Sequence, residues 1–470
     1  FVPSRGLGDV YKRQVYRYHL SMIFCIIKTM AEEYISKYTE SGGLTIAYQI
    51  WGDAKDTLMY VPGTISHLEA ALEDKEYLAW IRGLSNYFRV IIFDKRGQGL
   101  SDRDATAPNL EERMDDISSI VETEKLEEFF LLGLSEGASI SLIYAATYPQ
   151  KVKSVAVFGG AARFTRSDDY PFMPEAETIK ENLLTNWGTG SSGYIFCPQK
   201  MPDKKLDFAK LERMVCNPKT LESILELLTR IDIRASLPNI NLPVLVLHSR
   251  DDVAVFKLNG RYLADNINGS KYIEYPSGGH LPWHDERENI VKDLVTFFSA
   301  TGDGIKSADR TLATILFTDI EDSTKQMTEM GDKQWSEKMN KHDEIMRNTI
   351  ESFNGKLVKN TGDGVLAVFD GPARSIESAI SSIVKLNEID LRIRCSLHVG
   401  EVIWRNDDIT GIAVNIAARA LEKCQSNEVI ITKNLKDLLG RTKFSVISMG
   451  DFTLKGLEDN WELFKVENNE

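Results

Sequence analysis

At 470 residues the chain is too long for one ordinary domain, and 43% hydrophobic with 27% charged residues describes globular material able to bury sizeable cores. A net charge of −13 without any basic run argues against nucleic-acid binding as the main task. The five cysteines, Cys25, Cys197, Cys216, Cys395 and Cys424, are scattered, odd in number and lack Cys-x-x-Cys spacing. That pattern excludes a disulfide framework and a zinc site, and predicts reduced thiols in the cytoplasm.

Residues 1–30 read as an artefactual or disordered extension. Phe1–Gln14 resembles translated adapter sequence at the end of a reading frame, and Met30 is the expected start. Leu20–Ile27 is apolar and follows basic residues, but no small-x-small cleavage site comes after it. It is also far short of the ~20 residues that a membrane-spanning helix needs. No membrane span is expected.

From Tyr34 the chain alternates through a two-stranded opening with Ser41-Gly42-Gly43 as its turn. Apolar runs then recur at Leu58–Val61, Val90–Phe93, Phe129–Leu132, Val155–Phe158, Val244–Leu247 and Tyr272–Tyr275, with helical stretches between them. This alternation predicts βαβ units and a mostly parallel sheet covered on both faces, an α/β fold over about 31–299. Gly133-Leu134-Ser135-Glu136-Gly137 directly follows one run and opens a small-residue helix. A G-x-S-x-G in strand–turn–helix context is a nucleophile elbow, its glycines permitting a strained turn and close backbone approach. An acid and a histidine follow in the order Ser…Asp…His: Asp252, with Asp251 competing, and then His280. In such a triad His280 takes the Ser135 proton while Asp252 fixes the imidazole tautomer.

With D-K-R-G-Q-G-L-S-D at Asp94–Asp102, this segment resembles the α/β-hydrolase fold. The resemblance favours Asp252, four residues after His248, and implies an oxyanion hole from the Glu136 and Thr64 N–H groups. Val61-Pro62-Gly63 departs from the His-Gly of many members. Ala162–Asn239 occupies the place of a lid over a pocket for a small-molecule ester or ligand. His67, His284 and His342 read as packing or surface positions. No cofactor is expected in this part.

Residues 300–310 form a short polar linker without a heptad repeat, so a signal between the halves must pass by direct contact or a short lever. Beyond it, about 311–470, come a strand at Thr311–Thr318, a helix at Asp332–Phe353, and a hairpin over Gly355–Phe369 with Thr361-Gly362-Asp363-Gly364 as its turn. A helix at Ala373–Leu386, a strand at Leu391–His398, a polar hairpin to Asp408, a helix at Gly411–Leu421 and a strand at Val429–Thr432 complete a ferredoxin-like order. Two acids at strand ends, Asp319 and Asp363, suit a hard-cation site. Asn415 and Arg419, one turn apart, share a helix face.

F-T-D-I-E-D-S-T, K-N-T-G-D-G, D-I-T-G-I-A-V-N-I-A-A-R and T-L-K-G-L, with G-P-A-R after the hairpin, resemble the class III nucleotidyl cyclases along the whole segment. The resemblance implies ATP as substrate and two Mg²⁺ (or Mn²⁺) held by Asp319 and Asp363. It also implies a ribose contact from Asn415, α-phosphate stabilisation by Arg419, and Lys455 on the outer phosphates. Lys359 and Asp408 would read the base. Lysine donates to adenine N1 and aspartate accepts from the N6 amine, whereas guanine presents the reverse pattern at a cost of about 1–3 kcal/mol. Glu428 stands where the animal two-domain enzymes have a helpful arginine. The family also implies a head-to-tail homodimer, with Asp319 and Asp363 of one chain serving the nucleotide whose base is read by the other. The alternatives are an ester or lipid hydrolase regulated by a nucleotide-binding domain, a guanylate cyclase, or a receptor without turnover.

Overall fold

The computed structural model of the chain describes residues 33–103, 109–302, 310–439, 444–457 and 459–468. The expected extension at 1–30, Cys25 and most of the expected linker lie outside them. No helix among the described residues is long and apolar enough to cross a membrane.

The first half is organised on one sheet of eight strands in the order β1-β2-β4-β3-β5-β6-β7-β8. Its edge is the hairpin of β1 (Tyr34–Ser41) and β2 (Leu44–Trp51), turned by Gly42 and Gly43 at φ 59° and 80°. From β4 (Arg89–Phe93) through β3 (Thr57–Val61), β5 (Phe129–Leu134), β6 (Val152–Phe158), β7 (Val244–Ser249) and β8 (Lys271–Tyr275) every pairing is parallel. β3, β5 and β7 are buried at every residue, which is why they read as unbroken apolar runs. Two helices matter below: α1 (Leu110–Thr123) and α2 (Glu136–Thr147). Between β6 and β7, helices at Ala176–Leu184, Lys205–Val215 and Pro218–Leu228 form an insertion.

The second sheet runs β10-β11-β9-β12-β14-β16-β15, with β13 paired to β12. Its centre is the long antiparallel pair of β9 (Arg310–Ile320) and β12 (Ile393–Arg405). The expected hairpin is present as β10 (Lys356–Asn360) and β11 (Val365–Phe369), closed by a Thr361 N–H bond to Gly364 O of 2.9 Å. α3 (Pro372–Asn387) leads into β12. β13 (Asp408–Thr410) folds back on β12, and α4 (Ile412–Leu421) precedes β14 (Val429–Thr432). A helix at Ser323–Met330 and the closing pair β15 (Phe444–Thr453) and β16 (Asn460–Asn468) add to the expected order.

The two sheets are joined by more than the chain. One apolar cluster continues from Met114 and Ile143 beneath the first sheet to Leu312 and Val399 in the second. Beside it, Glu111 on α1 accepts hydrogen bonds from the Ala373 and Arg374 N–H groups, the latter at 3.2 Å. It thereby caps the otherwise orphaned first turn of α3, whose own N-cap, Gly371, has no side chain. Arg374 reaches Asp115 on α1 and holds Asp370 at 2.9 and 3.0 Å, while Tyr148 Oη donates to Asp370 Oδ2 at 2.6 Å. Burial pushes the Glu111 carboxyl up to about 7 against the opposing Ala373 N–H and Arg374 charge. A Cβ built on Gly371 would stand 2.0 Å from Glu111 Cγ, so only glycine lets the halves approach this closely.

Candidate active sites

In the first half, the turn between β5 and α2 carries Ser135 at φ 56°, ψ −119°, a backbone that L-residues adopt only under constraint. Gly133 and Gly137 leave room for that turn: a Cβ on Gly137 would meet Val61 O at 2.3 Å, and one on Gly133 would meet Gly137 O at 2.5 Å. His280, on the loop after β8, places Nδ1 2.7 Å from Asp252 Oδ2. The other oxygen of Asp252 accepts from the Ala254 and Val255 N–H groups, both at 2.9 Å. Burial alone would raise the Asp252 carboxyl, but contact with His280 and His248 outweighs it and holds the group well below the usual carboxylate range. Asp251 instead accepts from Gly279 N–H at 3.0 Å and Gln199 at 2.8 Å, shaping the histidine loop without touching the imidazole.

The buried His280 Nε2 has no hydrogen-bond partner, and His280 lines the same cavity as Ser135. Tyr60, Ile65, Leu68, Tyr77, Leu211 and Trp283 make most of the cavity wall apolar. From the insertion between β6 and β7, Phe196 stacks on the His280 ring at 5.6 Å, and its carbonyl accepts from His280 N–H at 3.1 Å. Thr64 also lines the cavity. His67, His284 and His342 are all buried; His67 Nδ1 accepts backbone N–H groups from Glu69 and Ala70 at 3.2 and 3.3 Å.

In the second half, Asp319 ends β9 and Asp363 sits in the β10–β11 turn. The turn packs against β9 because Gly364 has no side chain: a Cβ there would lie 2.8 Å from Asp319 Cα. Ile320 N–H bonds Asp363 O at 2.8 Å, and Ser323 Oγ donates to Asp363 Oδ2 at 2.8 Å. Arg394, opposite Asp319 in the β9–β12 register, grips both its carboxylate oxygens, Nε at 2.8 Å and Nη2 on the other. Two hard carboxylates on adjoining backbone, one already drawing a cation, fit Mg²⁺ or Mn²⁺ chemistry.

Lys359 on β10 and Asp408 on β13 come together, Nζ to Oδ2 at 2.7 Å. Asn415 and Arg419 lie on α4, with Arg419 donating to Glu422 at 2.6 Å from a half-exposed position. Lys455, beyond β15, is exposed. Glu428 pairs with Lys465 on β16 at 2.8 Å, a partner that no local spacing announced. Lys359 and Asp363 thus stand four positions apart on one hairpin with different partners, Asp408 on β13 for the first and Ser323 for the second.

Residues 52–287 match the family model described as serine aminopeptidase, S33, and residues 305–468 match the adenylate and guanylate cyclase catalytic domain. Among curated proteins, the AB hydrolase superfamily protein YisY of Bacillus subtilis is 28% identical over 45% of this chain and 81% of its own length. The pimeloyl-[acyl-carrier protein] methyl ester esterase of Nitrosomonas europaea is 24% identical over 45% of this chain and 85% of its own length. An esterase structure from Exiguobacterium antarcticum superposes with a TM-score of 0.51 at 24% identity, covering 56% of this chain and all of that one, a likeness of fold.

Proposed function

Because the chain belongs to the α/β-hydrolase family in its first part and carries a class III cyclase catalytic domain in its second, we propose that it is an adenylate cyclase whose hydrolase-fold part binds or cleaves a small ester. The observation that carries the choice of adenine is the Lys359–Asp408 contact, a donor beside an acceptor at 2.7 Å. Adenine offers the complementary acceptor at N1 and donor at N6. Both side chains are about half exposed, so neither is committed to its neighbour alone.

In this reading Asp319 and Asp363 hold the divalent cations, which when bound polarise the attacking ribose oxygen and neutralise the polyphosphate. Arg394, bonded to both oxygens of Asp319, would have to turn aside for Asp319 to hold a cation. Asn415 orients the ribose so that the 3′-hydroxyl faces the α-phosphorus in line. Arg419, freed from an exposed pair with Glu422 that costs little to break, stabilises charge growing on the α-phosphate. Lys455 binds the outer phosphates, and Glu428, neutralised by Lys465, need not repel them. Lys359 and Asp363 stand on one hairpin but bond to different partners, Asp408 and Ser323, which supports a head-to-tail homodimer with each nucleotide shared between chains. Purified protein with ATP and Mn²⁺ should form cyclic AMP and pyrophosphate; a folded dimer that forms neither would overturn the assignment.

A second reading, ester hydrolysis at Ser135, is favoured by the Asp252–His280 bond and the unpartnered His280 Nε2 in the same cavity. The largely apolar wall suits an uncharged ester with an apolar acyl group. Hydrolysis of p-nitrophenyl esters, lost in Ser135→Ala, tests it.

A further inference from the structure

Lys95 lies directly behind the nucleophile elbow, in the loop after β4, with its side chain 1% exposed. Its Nζ donates to Gly63 O at 2.8 Å and to Glu136 Oε2 at 2.9 Å. One acceptor is the carbonyl of the Gly63–Thr64 peptide and the other the side chain of Glu136, and Thr64 and Glu136 are the residues whose N–H groups would face an oxyanion. The Gly63 carbonyl and the Thr64 N–H are the two ends of one planar trans peptide, so the carbonyl points opposite to the N–H. Pulling Gly63 O toward Lys95 aims Thr64 N–H the other way. Glu136 supplies the other N–H, the first of α2 after Ser135, and its 0% exposed carboxylate is tied to the same ammonium.

We propose that Lys95 is the positioning residue of an oxyanion hole formed by the Thr64 and Glu136 N–H groups. The proposal rests on the reading of Ser135 as a nucleophile. The surroundings agree with it. The Gly63 peptide lies against the nucleophile, since a Cβ on Gly63 would stand 3.1 Å from Ser135 Cβ. Gln98 Nε2 donates to Thr64 O at 2.7 Å, fixing the following peptide as well. Arg113 Nε stands 3.6 Å from Glu136 Oε1, so a second cation faces the oxygen that Lys95 leaves free. A cation on the carbonyl also polarises the peptide and makes its N–H the better donor.

Burial pulls the Lys95 ammonium down to about 8, with Glu136 opposing, so the group is charged at neutral pH. Loss of a single oxyanion donor typically costs about 10²–10³-fold in turnover, which sets the scale for misaiming one.

The test compares the full-length chain with Lys95→Met and Glu136→Gln, using p-nitrophenyl butyrate turnover and the rate of Ser135 labelling by a fluorophosphonate. Lys95→Met is expected to lower kcat by about 100-fold with KM within about twofold, and to slow labelling in parallel. Glu136→Gln, which leaves the Gly63 bond in place, should lose about tenfold or less. Equal losses in both variants, or a folded Lys95→Met that labels at the unaltered rate, would overturn the proposal. If the unaltered chain neither turns over nor labels, the hydrolase reading fails and takes the proposal with it. Should Lys95→Met not fold, Lys95→Gln, too short to reach both acceptors, is measured against the same criteria.

Discussion

Lys359 Nζ and Asp408 Oδ2 stand 2.7 Å apart although 49 positions separate the two residues. β12 and β13 fold back as a hairpin that brings Asp408 beside β10, so a donor and an acceptor face outward together. Exchanging their polarity should exchange the base. Lys359→Glu combined with Asp408→Cys is expected to shift the ATP-to-GTP ratio of kcat/KM toward GTP by about 5–150-fold, the equivalent of 1–3 kcal/mol. Product analysis with each nucleotide reads it directly; an unchanged ratio would remove this pair from base selection.

A homodimer that shares each nucleotide between chains predicts complementation. Asp363→Ala and Lys359→Ala homodimers should each fall at least about 100-fold in cyclase rate. Mixed dimers should regain activity at one of their two sites. Failure to recover, with mixed dimers demonstrated, would mean that each nucleotide is bound within one chain.

Metal removal should divide the two halves chemically. Excess EDTA is expected to abolish cyclic AMP formation and to leave ester hydrolysis and Ser135 labelling within about twofold, because the proposed triad of Ser135, His280 and Asp252 needs no metal. Arg394→Gln, which frees Asp319, should tighten Mn²⁺ binding to the nucleotide-free protein in a calorimetric titration. Unchanged affinity would show that the guanidinium does not compete with the ion.

The two neighbouring aspartates should separate sharply. Asp252→Asn, which leaves His280 in the wrong tautomer, is expected to lower ester turnover by about 10⁴-fold. Asp251→Asn alters only the bonds to Gly279 and Gln199 and should cost about tenfold or less. Similar losses in both would mean that loop shape, and not imidazole orientation, governs the site.

Glu111 makes the contact between the halves sensitive to pH. Its folded value, raised to about 7 from an ordinary 4.5, means the folded protein binds more protons than the unfolded chain across that interval. Its contribution to stability is therefore complete below about 4.5 and is lost as pH rises through 7, by at most about 3 kcal/mol. Melting temperatures of Glu111→Gln should show a weaker decline than the unaltered protein between those pH values. Parallel curves would exclude Glu111 as the titrating group.

What could be read from the sequence was local or strongly patterned. The turn at Ser135 was legible because a strained φ of 56° there needs glycines on both sides, and the strands β3, β5 and β7 because full burial makes them uniformly apolar. The Asp363 turn was legible for the same reason as any tight hairpin tip. The partners of these groups were not. Lys95 and Glu136 are 41 positions apart, Arg394 and Asp319 are 75 apart, and Arg374 meets Glu111 from 263 positions away. Such pairs depend on how strands and helices come into register, which no window of sequence records. The lid was visible as an insertion, but the stacking of Phe196 on His280 was not. β15 and β16 were missed because β15 mixes exposed and half-buried residues without a clean alternation.

The absent side chain at position 371 has a mechanical consequence. With Glu111 only 2.0 Å from where a Cβ would stand, an added methyl group is a wedge driven between the two halves. Either Glu111 withdraws and leaves the first turn of α3 uncapped, or α1 and α3 part. Both outcomes begin at Asp370, one residue past the strand that starts beside Asp363. A carboxylate borrowed from the hydrolase-fold half thus sits at the root of the cyclase hairpin, and the seam between them is a hinge pin with no clearance.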